Sequence, residues 1–148
     1  MNFIFRFVLA ILIVRGFESY DVKIGLMTPQ EEVGYVKYMY GFSTTAGALT
    51  IGIDRIIEEN LLPGANISII WRFDQCDEST AAGYAIDMIL NEKVDVILGP
   101  PCSVPAAIVA IICKYYNIPM VSWGATAVDV VDMDSLPTLS RVIGSSYR

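Results

Sequence analysis

At 148 residues the chain has room for one domain, with a core that buries about two thirds of its unfolded surface. Its formal charge of −6 repels phosphate backbones and argues against nucleic-acid binding. It has no histidine, which excludes Ser-His-Asp and Cys-His catalysis and imidazole metal ligation.

The hydrophobic fraction of 54% is high for a soluble protein, and the N-terminus supplies part of the excess. Met1 to Arg6 carries one positive charge, Phe7 to Val14 is unbroken apolar sequence, and Arg15 to Ser19 turns polar. That run is too short to cross about 30 Å of hydrocarbon. Residues 1–19 therefore read as a secretory signal peptide cut near Gly16 to Ser19, with an apolar first strand or helix as the plainer alternative. Loss of Arg6 and Arg15 leaves eight basic residues against sixteen acidic ones, which suits an extracellular surface. The sequon Asn66-Ile67-Ser68 gains weight in that setting as an N-glycosylation site.

Asp21 to Thr28 is the first strand, stopped by Pro29. A Gly- and Tyr-containing loop follows to about Phe42. From Ser43, the residues Ala46, Leu49, Ile53, Ile56 and Ile57 recur at helical spacing, with Ser43 or Thr44 as cap and Pro63-Gly64 as stop. Asn66 to Phe73 is β-branched and aromatic, the second strand. Asp77 or Ser79 caps a second helix whose apolar face carries Ala82, Ala85, Ile86, Ile89 and Leu90. Val94 to Leu98 is nearly continuous apolar sequence, as in a strand covered on both faces. Ser103 to Tyr116 is a third helix, with Ser103 as N-cap and Pro105 in the first turn, broken by Asn117-Ile118-Pro119. Met120 to Trp123 is a fourth strand, and Leu136 to Val142 offers a fifth. This β-α alternation implies an α/β fold, a doubly wound parallel sheet with helices on both faces.

Cys76 and Cys102 each lie in the loop after a predicted strand. With sheet order 2-1-3-4, strands two and three flank strand one about 10 Å apart, and their loops can lean together to disulfide distance. The alternative is two free thiols in a reducing compartment. Cys113 falls within the apolar third helix and reads as a buried thiol, or as an intermolecular disulfide partner.

The carboxyl edge of such a sheet is where ligands bind. Three segments reach it: Gly99 to Ser103, ahead of a helix N-terminus that could hold an anion or carboxylate; Ser122 to Thr126; and the loop from Thr28 to Phe42. Ser103, Ser122 and Thr126 offer hydroxyls there, with capping and turn formation as their plain alternative. Trp123 either stacks on a ligand or fills a gap between lobes. There is no P-loop and no G-x-G-x-x-G after the first strand. Asp129, Asp132 and Asp134 match no Ca²⁺ loop and read as a solvated acidic loop, and Asp74, Asp77 and Glu78 as capping or exposed groups. No cofactor, metal or catalytic residue is expected.

Val22-Lys23-Ile24-Gly25-Leu26, Cys76-Asp77, Val94 to Ser103 and Ile118 to Ala125 together resemble the extracellular receptor-family ligand-binding region, with its type I periplasmic-binding-protein-like fold. The resemblance covers about residues 20–145 and is closest to receptor-type guanylate cyclases, with Cys-Asp-Glu-Ser followed by Gly-Tyr-Ala looking like the nematode branch. It implies a disulfide between the paired cysteines and a Gly-Pro-x-Cys turn that starts the third helix. Natriuretic-peptide-receptor relatives hold a chloride near this turn, where a glycine precedes the cysteine; Pro101 stands there and has no N–H to donate. The family's ectodomain has two lobes, with ligand between them or at a dimer face. The expectation is thus that residues 20–148 are an incomplete N-terminal lobe that senses a small molecule, ion or peptide outside the cell. It would form homo- or heterodimers in a full receptor and have no cyclase activity of its own. Its alternatives are a stand-alone secreted binding or decoy protein of the same fold and a small α/β enzyme.

Overall fold

A computed structural model describes residues 19–30, 39–127 and 135–144. The proposed signal peptide and the acidic residues Asp129, Asp132 and Asp134 lie outside them. Among the described residues are five strands, β1 (Tyr20–Met27), β2 (Ala65–Arg72), β3 (Val96–Leu98), β4 (Met120–Ser122) and β5 (Leu139–Arg141). They form one parallel sheet in the order β2-β1-β3-β4-β5. Among the described residues, three full helices lie between the first four strands: α1 (Phe42–Glu58), α2 (Glu78–Asp87), which runs on into a π-turn at Met88–Glu92, and α3 (Ser103–Tyr116). The expected α/β class is the observed one.

The two-residue strand period decides what each face of the sheet carries. Gly25 aligns with Ile97, Ile97 with Met120, and Met120 with Leu139, so this row crosses four strands on one face. A Cβ on Gly25 would lie 2.7 Å from the Met88 sulfur, which identifies this face as the one under α2 and its π-turn. Ile97, Met120, Met27 and Met88 are fully buried there, against Ala85, Ala106, Val109, Ala110 and Cys113. The alanines let the helix backbones approach the sheet closely. On the opposite face, Phe42 at the start of α1 meets Trp71 and Phe73 edge-on at 4.9 and 5.4 Å.

Three helix boundaries differ from expectation. α1 is capped by Gly41 in extended conformation, because the hydroxyls of Thr44 and Thr45 donate back to the Gly41 carbonyl instead of accepting from the helix. It ends at Glu58, ahead of Pro63-Gly64, with Asn60 in left-handed conformation closing the turn. α3 is capped by Cys102, and Ser103 is its first helical residue. α2 starts as read, with Asp77 accepting from the Thr80 N–H at 2.7 Å. α3 ends as read, where Asn117 turns left-handed and Ile118 N–H donates to the Cys113 carbonyl at 2.9 Å. Cys113 is buried and free, and burial pushes its thiol up to about 12, which leaves it unreactive.

Candidate functional site

At the carboxyl edge, the exit of β3 packs between the exits of β1 and β4. Gly99 adopts φ +83°, and a Cβ there would collide with the Met27 carbonyl oxygen and lie 3.0 Å from the Trp123 ring. Its N–H donates to the Val121 carbonyl at 2.8 Å. Gly124 makes the second close approach: a Cβ would lie 2.8 Å from the Pro101 oxygen and 3.0 Å from the Tyr40 ring. The two glycines thus allow three loops to converge.

The disulfide Cys76–Cys102 joins the loop after β2 to the N-cap of α3, with Cα atoms 5.6 Å apart. It crosses above β1, as the strand order requires. The turn that brings Cys76 there places Gln75 and Cys76 both in left-handed conformation, at φ 53° and 57°. Two side chains hold it. Asp74 accepts from the Cys76 N–H at 3.1 Å, and Gln75 Oε1 accepts from the Gln30 N–H at 3.0 Å. Asp74 is fully buried rather than exposed, correcting the sequence reading, and its Oδ1 has no hydrogen-bond partner. Burial pushes its carboxyl up to about 6, outweighing the hydrogen bonds from the backbone that favour the ionised form.

Beside the disulfide lies a cleft of about 490 Å³. Met39, Tyr40, Pro101, Val104 and Pro105 give it apolar walls, and Ser103 and Thr126 give it hydroxyls. Among the described residues, the lining holds no Lys, Arg, Asp or Glu. The N-terminus of α3 faces it, bringing the positive end of a helix dipole and the early N–H groups that precede the intrahelical ladder. Ala106 is already in that ladder, donating to Cys102 at 3.0 Å. Ser103 Oγ accepts from the Ala127 N–H at 3.3 Å, which leaves its own proton directed elsewhere and ties α3 to the loop after β4. The arrangement suits an uncharged or anionic group held by N–H and O–H donors.

Ser103 and Thr126 are brought together at this cleft, and Ser122 is not. Ser122 is fully buried, and its hydroxyl donates to the Pro100 carbonyl at 3.0 Å beneath the cleft floor. It shares the face of Met120, two residues earlier on β4, so strand alternation already points it toward the core. Trp123 is also outside the lining and packs its ring edge on Gly99, with its indole N–H buried and unpartnered. Met39 and Tyr40, which the sequence reading placed only within a long loop, form one wall. Among the described residues, no group of three or more Cys, Asp or Glu is placed to hold a metal. Nor is any helix among them long and apolar enough to cross a membrane.

Known proteins share both sequence and fold with this chain. Residues 44–148 match the receptor family ligand binding region. The receptor-type guanylate cyclase gcy-6 of Caenorhabditis elegans is 42% identical over 106 residues, covering 70% of this chain and 10% of the relative. The receptor-type guanylate cyclase gcy-14 of the same species is 35% identical over 118 residues, covering 79% and 10%. The chain thus spans about a tenth of the length of the curated relatives it matches. Among solved structures, the substrate-binding protein LivJ of Streptococcus pneumoniae, in complex with isoleucine, superposes with a TM-score of 0.71 at 20% identity, over 85% of this chain and 34% of that one. A solute-binding protein from R. palustris, in complex with 4-hydroxybenzoate, gives 0.65 at 20% identity, over 85% and 32%. These two establish the fold, the α/β fold of type I periplasmic binding proteins. By the family match and the identities together, the chain belongs to the receptor family ligand-binding region and groups with nematode receptor-type guanylate cyclases.

Proposed function

We propose that this chain is the extracellular ligand-sensing lobe of a receptor guanylate cyclase, and that its ligand is a small carboxylate or similar anion. The observation that carries the reading is the cleft at the N-terminus of α3, where Ser103 and Thr126 hydroxyls stand beside apolar walls. A carboxylate needs several N–H or O–H donors and gains from a helix dipole, while the rest of a small ligand gains from Tyr40, Met39 and Pro101. Isoleucine and 4-hydroxybenzoate, bound by the two structural relatives, are both small carboxylates. Residues 1–19 act as signal peptide in this reading, and the facing lobe of a full receptor closes the cleft. Signalling passes through dimers of that receptor, and cyclase chemistry resides outside this lobe.

The test is a thermal-shift and calorimetric titration of the secreted chain with L-isoleucine, 4-hydroxybenzoate and related carboxylates up to about 10 mM. A ligand at ten times its Kd stabilises by about 1.4 kcal/mol, so a millimolar site on a lone lobe is visible. A saturable rise in Tm, absent in Ser103→Ala and Thr126→Ala, is the expected result. A panel that leaves the melting curve unmoved, or binding that survives both substitutions, overturns the proposal.

A further inference from the structure

We propose that Asn66 carries an N-linked glycan that shields the outer edge of the sheet. The two edges are unequal. β5 is three residues long, whereas β2 is eight and contains Ile67, Ile69, Ile70 and Trp71. A long apolar edge strand with an unpaired backbone row is a template for strand addition, and proteins normally blunt such edges. Among the described residues nothing pairs with the outer side of β2.

Asn66 and Ser68, the two residues that the sequon requires, are both exposed and share one face of this strand. The Asn66 amide donates to Asp21 Oδ1 at 2.9 Å, across from its register partner on β1. The amide has two hydrogens. In glycosylation Nδ2 forms a C–N bond to the anomeric carbon of a lipid-diphosphate-linked oligosaccharide. The anomeric C–O bond breaks, the lipid diphosphate leaves, and one amide proton is released. One N–H remains on Nδ2 after the transfer, so the glycosylated amide keeps a donor. Asn66 aligns with Asp21 near the amino end of β1, and the cleft lies past the carboxyl end of the sheet. At about 3.3 Å per residue, that separation is on the order of 20 Å, so the glycan leaves the cleft open.

The inference rests on the extracellular reading, and the experiment keeps the two apart. Residues 20–148 are secreted from insect cells behind a foreign leader, beside the full chain with its own N-terminus. Secreted protein that loses mass on enzymatic glycan removal, with residue 66 converted to Asp in the peptide map, is the expected result. The shift should vanish in Asn66→Gln and Ser68→Ala, the latter keeping the Asn66–Asp21 bond in case the former folds poorly. An unmodified Asn66 in the protein behind the foreign leader overturns the site, whereas failure of only the native N-terminus to secrete counts against the extracellular reading alone. Light scattering then compares the glycosylated protein with Ser68→Ala. Self-association that rises on loss of the glycan supports shielding, and equal monodispersity overturns it.

Discussion

α1 and α3 look alike in sequence and differ in fate. Both follow a strand, and both carry apolar residues at helical spacing, yet α1 buries none of its seventeen residues while α3 buries six of fourteen. Ile51 and Ile57 on α1 remain 62% and 69% exposed. The difference lies in company. α2 and α3 share one face of the sheet and pack on each other, so each closes the gaps the other leaves. α1 stands as the one described helix on the other face, where Ile24, Val96, Leu98 and Val121 are only half-buried. Helical amphipathicity tells which residues seek cover, and tertiary neighbours decide whether they receive it.

The sharpest way to break this comparison is one substitution of the same kind on each side. Ile97 is fully buried under α2 and α3, and Ile97→Ala should cost about 4 kcal/mol through lost burial and a residual cavity. Ile53 sits half-buried on α1, and Ile53→Ala should cost about 1 kcal/mol or less. Urea midpoints measure both, and equal losses would show that α1 is as firmly held as α3.

The disulfide comes next, because it ties the loop after β2 to the well-packed α3. Closing a loop of 26 residues restricts the unfolded chain by about 3.5 kcal/mol in the chain-entropy treatment. Cys76→Ser with Cys102→Ser should therefore lower Tm by more than about 10 °C in calorimetry. A drop of a degree or two would mean that the three converging loops hold this edge without the bridge.

Much of this edge is legible in the sequence, for identifiable reasons. The strands announce themselves as apolar runs, and the order 2-1-3-4 assumed from the α/β pattern, which the sheet adopts, puts Cys76 and Cys102 over β1. Ser103 and Thr126 follow from their places just past β3 and β4. Ser122 was misplaced because its orientation depends on strand parity, which the Met120 alternation carries and a list of loop hydroxyls does not. Asp74 was misread because burial of a polar residue comes from the turn of Gln75 and Cys76, two left-handed residues that no glycine signals. The exposure of α1 has no local signal at all, since it depends on what else covers that face.

Asp74 supplies a pH signature of about 3 kcal/mol, from a carboxyl raised from 3.8 to about 6. Its folded pKa lies above its unfolded one, so the folded state holds the proton more tightly. The cost of ionising it is absent below about pH 3.8, grows as pH rises through the interval and is complete above about 6. Asp74→Asn should flatten this fall in stability between pH 4 and 6, measured as Tm against pH. An unchanged slope would place the titrating group elsewhere.

Asp77 sharpens the same experiment with a smaller effect of opposite sign. The Thr80 side chain and N–H hold its carboxyl below the usual carboxylate range. Its stabilisation is therefore present above the unfolded pKa and is lost as pH falls through the depressed one. Asp77 also repels the charge on Asp74 and so contributes to raising it. Asp77→Ala removes the cap of α2 and should lower Tm by a few degrees at neutral pH, less than the lost cap alone would predict because Asp74 is then easier to ionise. As pH falls through the depressed pKa, the variant and the parent should converge, since the parent's cap is then being protonated away. A gap that stays constant through the acid limb would show that the Asp77 carboxylate caps α2 without its charge mattering.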